Sequence, residues 1–267
     1  MRRPRKKPSF LRVIMYFFES AKLVYLVKNW LVIPLGFFRI ANFKNGCTLH
    51  LRNGLSFKIY HSLEALTLKE IFYDNDYKLR RSLRKCTIID IGANIGGFAI
   101  FAASINPNSQ IFAYEPSRRT FKQLEENISK NRLRGRIFAV QKAVGGKKEK
   151  LNLYDSGPSG TRSVFRTRGE KKFENVSIIT LNDLFKEYRL KKCDFLKIDC
   201  EGGEYDILQN TKREMFSKIR QISLEFHEML PAQNHQKLVT LLRNAGYKVR
   251  YGYHKIENNI GYIYAKK

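Results

Sequence analysis

Short apolar segments alternate with helix-like segments from Thr87 to the end of the chain, and this alternation limits the fold more than any other feature. The apolar segments are rich in Ile, Val and Phe. Strands of this kind, separated by helices, form a parallel sheet that is covered on both faces. The predicted strands are 87–90, 110–115, 136–141, 194–199, 221–226, 246–252 and 260–267. The predicted helices between them are 97–104, 117–131, 181–189, 204–209 and 233–245. We therefore expect an α/β fold with a doubly wound sheet of seven strands, whose last two strands pair antiparallel because a short loop joins them.

Three segments lie outside this alternation. Two alternating segments flank Asn53-Gly54, which predicts a β-hairpin with a two-residue turn because both turn positions require a positive φ. A helix should follow and end before Asp74. An insertion at about 151–180, rich in glycine, is expected to form a hairpin or lid near the carboxyl edge of the sheet. We divide the chain into an N-terminal helical arm, 1–45, and a domain, 46–267.

The arm combines a basic start with apolar residues. Five of its first seven residues are Lys or Arg, and its longest charge-free run, Asn29 to Phe38, has ten residues and contains Pro34. A spanning helix needs about 20 apolar residues, so no transmembrane span is expected. Nothing resembles a signal-peptide cleavage site, which predicts a cytoplasmic protein, peripheral at the inner membrane face if the arm binds lipid. Two interpretations stay open: helices that pack on the domain, or an anchor in which residues 1–40 bind an anionic membrane surface.

A glycine-rich turn, DIGANIGG, connects the first predicted strand to its helix at residues 90–97. Such a turn cradles a ligand at the carboxyl end of the sheet. In the dinucleotide fingerprint a second glycine stands where this chain has Asn94, and Asp90 would repel a pyrophosphate. The next strand ends in Glu115, which is placed to accept hydrogen bonds from ribose hydroxyls. Together these residues indicate a nucleoside with a positive charge, and S-adenosylmethionine fits this description.

Carboxylates also follow the fourth predicted strand, which should lie beside the first. Asp199 and Glu201 are candidates to neutralise a cationic cofactor or to take the proton from an acceptor hydroxyl. Glu204 either joins them or only opens a helix as a favourable first-turn acid. The fifth strand ends with His227, two residues after Glu225, and a histidine on the same strand face as a carboxylate could act as a base.

The alternatives for these residues are a structural role for His227 and a metal site. Asp199, Glu201, Glu225 and His227 could converge as hard ligands, but no spacing enforces this, so no metal is predicted.

Five segments together resemble the FkbM family of S-adenosylmethionine-dependent methyltransferases. They are IIDIGANIGGFAIFAA, IFAYEPSRRTFKQLEENI, AVGGKKEKLNLY, DFLKIDCEGGEYDIL and ISLEFHE, and the resemblance extends over about residues 45–266. It implies a class I methyltransferase fold of Rossmann-like topology, with seven strands of which the last is antiparallel. It also implies methyl transfer to a hydroxyl of a sugar, a glycolipid or a related small molecule. Cys200 and Gly203 depart from the usual motif, but both are small.

The resemblance assigns roles to the residues of the cofactor site. Asp90, Gly92, Asn94 and Gly96 would line the methionine end, and Glu115 would bind the ribose. The segment from Gln141 to Ala143 would lie beside the adenine.

The charge of the chain keeps two other functions open. The 50 Lys and Arg residues against 24 Asp and Glu give a net charge of +26, which favours polyanionic partners. One alternative is an RNA methyltransferase, although the Asn-Pro-Pro-aromatic tetrapeptide that holds a flipped base is missing after the fourth strand, so nucleic acid is the less favoured partner. The other is a basic binding module on a methyltransferase fold. The favoured partner is a hydroxyl-bearing glycan or lipid-linked acceptor.

Overall fold

The computed structural model describes residues 21–37, 43–82, 84–155, 162–163, 173–228, 233–254 and 259–267. Three predicted features therefore lie wholly or partly outside the described residues. They are the basic start of the arm, the inner part of the insertion, and the loop between the last two strands.

The described residues contain the following strands and helices. The strands are β1 (Cys47–His50), β2 (Ser56–Ile59), β3 (Thr87–Ile91), β4 (Gln110–Tyr114), β5 (Ile137–Val140), β6 (Ala143–Val144), β7 (Lys150–Asp155), β8 (Arg162–Ser163), β9 (Phe173–Ile179), β10 (Phe195–Ile198), β11 (Gln221–His227), β12 (Lys248–Tyr253) and β13 (Ile260–Lys266). The helices are α1 (Leu23–Leu26), α2 (Val32–Phe37), α3 (Glu64–Phe72), α4 (Gly97–Ile105), α5 (Arg118–Lys130), α6 (Leu181–Glu187), α7 (Glu204–Gln209), α8 (Arg213–Ser217) and α9 (His235–Asn244).

The central sheet has seven strands in the order β12-β13-β11-β10-β3-β4-β5. The pairs from β11 to β5 are parallel, whereas β13 is antiparallel to both β11 and β12. This confirms the predicted doubly wound sheet with an antiparallel last strand. The strand order reverses between β3 and β10, and in sheets of this type ligands bind in the crevice at that point.

The hairpin β1–β2 forms where the sequence predicts it, but its turn is different. The N–H of Leu51 donates to the carbonyl of Leu55 at 2.8 Å, which leaves a three-residue loop. Within this loop only Gly54 has a positive φ, +91°. The expectation that Asn53 also takes a positive φ is therefore wrong, because a longer loop needs one glycine rather than two such residues.

The hairpin is fastened to the glycine-rich turn by one buried asparagine of α5. The side chain of Asn127 is fully buried; its Oδ1 accepts from the N–H of Lys58 at 2.7 Å, and its Nδ2 donates to the carbonyl of Ile95 at 2.9 Å. A buried polar group needs partners of this kind, so Asn127 fixes the turn relative to β2.

The insertion belongs to a second sheet, which sequence reasoning anticipated only as a hairpin or lid. Its strand order is β6-β9-β7-β8, with β7 and β9 antiparallel and β6 parallel to β9. Because β6 directly follows the end of β5, this sheet stands at the carboxyl edge of the central sheet. Its function as a lid stays a prediction.

The described part of the arm contacts the domain. Leu23, Val27 and Ile33 are buried in the same apolar cluster as residues of the hairpin and of α4. None of the helices in the described ranges has the length and apolar character required to cross a bilayer.

Candidate active site

A cleft of about 270 Å³ opens across the carboxyl ends of β3, β4 and β10. Six of the predicted site residues line it: Gly92, Asn94, Glu115, Ala143, Asp199 and Glu201. Four others do not line it: Asp90, Gly96, Gln141 and His227. The cleft therefore collects most of the residues assigned to the cofactor, together with two of the proposed catalytic carboxylates.

The glycines of the turn are required by packing inside the protein. Gly92 has a φ of +75°, and a Cβ added there would overlap the carbonyl oxygen of Asp199. A Cβ on Gly96, whose φ is +91°, would lie 2.7 Å from a methyl group of Leu124. The sequence motifs place these glycines beside the cofactor, but in the structure they also let the tips of β3 and β10 and helix α5 approach one another.

Glu115 is held rigidly at the end of β4. Its carboxylate accepts hydrogen bonds from the backbone N–H of Asn94 at 3.1 Å and of Ser117 at 3.0 Å. The side chain is 8% exposed and lines the cleft. A carboxylate oxygen can accept two hydrogen bonds, so this group can also receive the hydroxyls of a ribose.

Asp90 is fully buried and faces a lysine of the neighbouring strand. Lys197 of β10 places its Nζ 3.1 Å from Asp90 Oδ1 and 3.6 Å from Asp199 Oδ2, and donates to the carbonyl of Gly92 at 2.7 Å. Burial lowers the pKa of Lys197, but the two carboxylates overcome this effect and raise it above its ordinary value. Asp90 thus supports the turn through a charged lysine; direct contact of Asp90 with a cofactor stays a prediction.

Tyr77 is a site residue that sequence reasoning missed. It is buried, and its hydroxyl lies 2.8 Å from Asp199 Oδ2, to which it donates, and 3.4 Å from Glu225 Oε2. Burial raises the pKa of Glu225 well above its usual range, and the nearby Asp199 carboxylate adds to this effect. Tyr77 comes from the segment after α3, so the N-terminal part of the chain closes the site from the side of Asp199.

His227 is positioned by Glu204, the first residue of α7. Their Nδ1 and Oε1 atoms are 3.2 Å apart, and Glu204 also accepts from the N–H groups of Cys200 and Gly202 at 2.8 and 3.0 Å. Because the carboxylate of Glu204 can only accept, it fixes the proton on Nδ1 and directs Nε2 toward Glu225, whose Oε1 is 3.8 Å away. Glu204 therefore does more than open a helix.

The charge of His227 follows from these neighbours. Burial lowers the pKa of the imidazole, but the carboxylates of Glu204, Glu225 and Asp199 outweigh burial and raise the pKa well above its ordinary value. These neighbours therefore favour the imidazolium form of His227 over the neutral ring.

Further acidic and phenolic side chains surround the same region. Burial, together with the carboxylates of Asp76 and Asp199, raises the pKa of Glu70 to about 7 despite the opposing charge of Lys69. The hydroxyl of Tyr264 donates to the carbonyl of Asp76 at 2.6 Å. These residues come from α3, the segment after it and β13, and they extend the group of carboxylates at the strand ends. We call the group formed by Glu70, Asp76, Asp199, Glu204 and Glu225 the acidic chamber.

Two non-glycine residues that line the cleft have left-handed backbones. Asn94 has a φ of +49° and Glu201 a φ of +54°. Such a conformation is readily adopted by asparagine but costs about 1 kcal/mol for a residue such as glutamate. Glu201 lies between β10 and α7 at the cleft wall, and its catalytic role stays a prediction.

The remaining predicted residues and the metal alternative are placed as follows. Gln141 is exposed, and its Nε2 lies 3.5 Å from Glu174 Oε1, outside the cleft. Asp199, Glu204 and His227 hold potential ligand atoms within 4.8 Å of one another, so within the described ranges this trio could hold a metal ion. Glu225 and Glu201, which the sequence also suggested as ligands, are not members of it.

Comparisons with known proteins identify the family. The sequence model of the family described as "Methyltransferase FkbM domain" matches residues 90–249. A protein named 31-O-demethyl-FK506 methyltransferase FkbM, from Streptomyces tacrolimicus, is 29% identical over 76% of this chain and 89% of its own length. Methyltransferase sdnD from Sordaria araneosa is 25% identical over 73% of this chain and 86% of its own.

A solved structure agrees with the fold. The crystal structure of methyltransferase FkbM from Methylobacillus flagellatus KT superimposes with a TM-score of 0.50 at 16% identity, over 73% of this chain and 47% of that one. The sheet order and this likeness confirm the class I methyltransferase fold that the sequence motifs imply. The family match spans more than half of the chain, and it includes the glycine-rich turn, the strand-end acids and His227. The chain belongs to the FkbM methyltransferase family.

Proposed function

We propose that the protein transfers a methyl group from S-adenosylmethionine to a hydroxyl of a sugar, a glycolipid or a related small molecule. The observation that carries the proposal is the Glu204–His227 pair, whose imidazole Nε2 faces Glu225. Potential ligand atoms of this pair and of Asp199, which lines the cleft, lie within 4.8 Å of one another. One relative is named for 31-O-demethyl-FK506, which supports an oxygen acceptor. Another, 24% identical, is named hexuronic acid methyltransferase AglP, from Haloferax volcanii, which supports a sugar-derived acceptor.

The cleft residues fit the cofactor that the family implies. The carboxylate of Glu115 is held in place by hydrogen bonds and can accept from ribose hydroxyls. The cleft beside Gly92 and Asn94 provides the space for the nucleoside. Asp199 and Glu201 bring negative charge to the cleft wall, where it attracts a cationic ligand. When bound, S-adenosylmethionine supplies an electrophilic methyl group.

The residues on the other side of Asp199 prepare the acceptor. Tyr77 holds the Asp199 carboxylate with a hydrogen bond, and Glu204 holds His227 in one orientation. A neutral His227 accepts the proton of the acceptor hydroxyl at Nε2, and general-base assistance of this kind contributes roughly a hundred- to ten-thousandfold. The remaining rate enhancement comes from positioning the acceptor oxygen in line with the methyl group.

The test is methyl transfer to a set of acceptors with different nucleophiles. The protein is incubated with methyl-labelled S-adenosylmethionine and, separately, neutral hexoses, hexuronic acids, lipid-linked sugars, amines and transfer RNA. We expect the label in an alkali-stable O-methyl group on a sugar hydroxyl. The label should be lost in His227→Gln, although this variant should still bind S-adenosylmethionine at least as tightly as the unaltered chain does. Label in RNA or in an amine would contradict the proposal.

A further inference from the structure

We propose that the described part of the arm is a docking surface for anionic lipid membranes. The arm surface consists of the exposed apolar side chains Tyr25, Leu31 and Leu35 and the exposed basic side chains Lys28 and Arg52. The proposal is independent of the acceptor proposed above, because it concerns a different face of the protein.

Exposed apolar side chains are concentrated in this short segment. Seven large apolar side chains of the described residues are exposed, and three of them lie between residues 21 and 37. Tyr25 is 72% exposed, Leu31 59% and Leu35 41%. Single exposed apolar residues are common, but a group of three in 11 residues marks an interaction surface.

The same segment is fixed to the domain by its other face. Leu23, Val27 and Ile33 are buried in the core, and Val27 forms a β-bridge with Leu51. The N–H of Lys28 donates to the carbonyl of His50 at 2.7 Å. The exposed side chains therefore lie on the face of the segment that does not pack against the core.

The positive charge of the residues near this surface favours an anionic lipid membrane as the partner. The described residues 21–37 and 43–63 contain five Lys and Arg residues and no Asp or Glu. Arg52 lies directly at the surface, because its guanidinium donates to the carbonyl of Val24 at 3.0 and 3.1 Å. Apolar side chains framed by cations match a membrane interface, where the former enter the acyl boundary and the latter meet anionic headgroups. RNA would use the cations but would leave Leu31 and Leu35 in water.

The single tryptophan of the chain can serve as a fluorescence probe of this docking. Trp30 is the single tryptophan, it is partly buried, and it precedes Leu31. Transfer of the arm surface from water to lipid changes the surroundings of its indole.

The experiment uses the full chain with vesicles of phosphatidylcholine, with or without phosphatidylglycerol, and with transfer RNA in parallel. We expect the emission of Trp30 to shift to the blue only with phosphatidylglycerol, and lipids with brominated acyl chains to quench it. The double substitution Leu31→Asp/Leu35→Asp should weaken vesicle binding by a factor of about ten or more, because two leucines no longer enter the lipid. Tyr251→Asp, at a residue 42% exposed on the edge strand β12, is the control for a negative charge introduced outside the arm surface and should bind as the unaltered chain does.

Three binding results would each overturn the proposal. They are equal binding to both vesicle types, no quenching by brominated lipid, and vesicle binding that the leucine substitutions leave unchanged. Thermal unfolding separates docking from folding: a large fall in the unfolding temperature of the leucine variant, absent from Tyr251→Asp, would show that the leucines are covered by the protein itself and would also overturn it.

Discussion

His227 connects the electrostatics of the site to its chemistry, because its charge depends on residues that also hold it in place. The carboxylate of Glu204 lies 3.2 Å from Nδ1. Removal of this negative charge should lower the pKa of His227, since the imidazolium loses its nearest counter-charge. We expect the pKa in the unaltered protein to lie well above 6.5, and Glu204→Gln to lower it by at least about one unit.

Histidine-selective NMR titration measures this pKa directly, without knowledge of the acceptor. The chain has five histidines, and His227→Gln identifies the resonance. Glutamine keeps an oxygen that can accept from Cys200 and Gly202, so the loop is retained. An unchanged titration in Glu204→Gln would show that Glu204 does not control the charge of His227. Once an acceptor is known, the acid limb of kcat/KM should move to lower pH in the same variant.

Glu70 gives a pH-dependent contribution to stability. Its pKa is about 7 in the folded protein against 4.5 for the free side chain, because burial disfavours the charged form. A raised carboxyl pKa gives stability that is complete below the unfolded pKa and is lost as pH rises through the folded one. Glu70→Gln removes this loss. The free energy of unfolding of the variant, minus that of the unaltered chain, should therefore be larger at about pH 8 than at about pH 5, by about 2 kcal/mol.

Denaturant unfolding at the two pH values measures this difference. Glu125→Gln, on the exposed side of α5, is the matched control and should change stability equally at both. A gain in Glu70→Gln that does not depend on pH would mean that Glu70 ionises normally in the folded protein.

Single residues also mark the limit of sequence reasoning about the site. The strand-end acids Glu115 and Asp199 could be predicted, because the carboxyl ends of neighbouring parallel strands share one edge. Tyr77 could not, since it lies 122 residues from Asp199 in the sequence and no local pattern connects them. The ion pair of Lys197 could have been predicted from the sequence. A lysine inside an apolar strand needs an opposite charge nearby, and Asp90 is its register partner on the neighbouring strand β3.

At the scale of elements, the tips of β3 and β10 are joined at Gly92. An alanine there would combine an unfavourable φ of +75° with overlap against the carbonyl oxygen of Asp199. Gly54 has a similar φ, +91°, with no atom within 4 Å of an added Cβ. We expect Gly54→Ala to cost about 1 kcal/mol of stability and Gly92→Ala to cost more than about 3 kcal/mol, or to prevent folding.

Chemical unfolding of both variants measures the difference. The comparison isolates the close approach of the two strand ends, because both substitutions carry the same conformational penalty. Equal losses would mean that the strand ends can separate without consequence, and that the glycine serves only the turn.

The elements of the central sheet could be predicted because each buried strand is a compact apolar run between helices. The second sheet could not. β6 and β8 have two residues each, and β7 and β9 carry many polar side chains, so neither length nor periodicity identified them. The five-residue helix α8 was missed because it is little longer than one turn. The hairpin was predicted, but its loop length was not, since Arg52-Asn53-Gly54 allows turns of two or three residues.

At the scale of the whole molecule, charge is distributed unevenly. The chain carries +26 overall, yet Asp199, Glu204 and Glu225 gather around His227 in the acidic chamber, and Glu70 lies near Glu225. Among the described residues most Lys and Arg side chains are exposed or half-buried, whereas acidic side chains are gathered at the strand ends beside the cleft. This contrast explains why net charge alone kept RNA and membrane partners open in the sequence analysis, while the strand-end acids indicated a cationic ligand.

The acidic chamber predicts that binding of a cationic cofactor releases protons. His227, Glu225 and Glu70 all have raised pKa values. A positive charge in the cleft stabilises their deprotonated forms and lowers each pKa, so S-adenosylmethionine should displace protons at neutral pH. S-adenosylhomocysteine has the same nucleoside but no charge on sulfur, so it should displace fewer. Calorimetric titration in buffers of different ionisation enthalpy gives the number of protons released on binding. For S-adenosylmethionine this number should be smaller in Glu70→Gln than in the unaltered chain. Equal proton release by the two ligands would mean that the sulfonium is not bound near the acidic chamber.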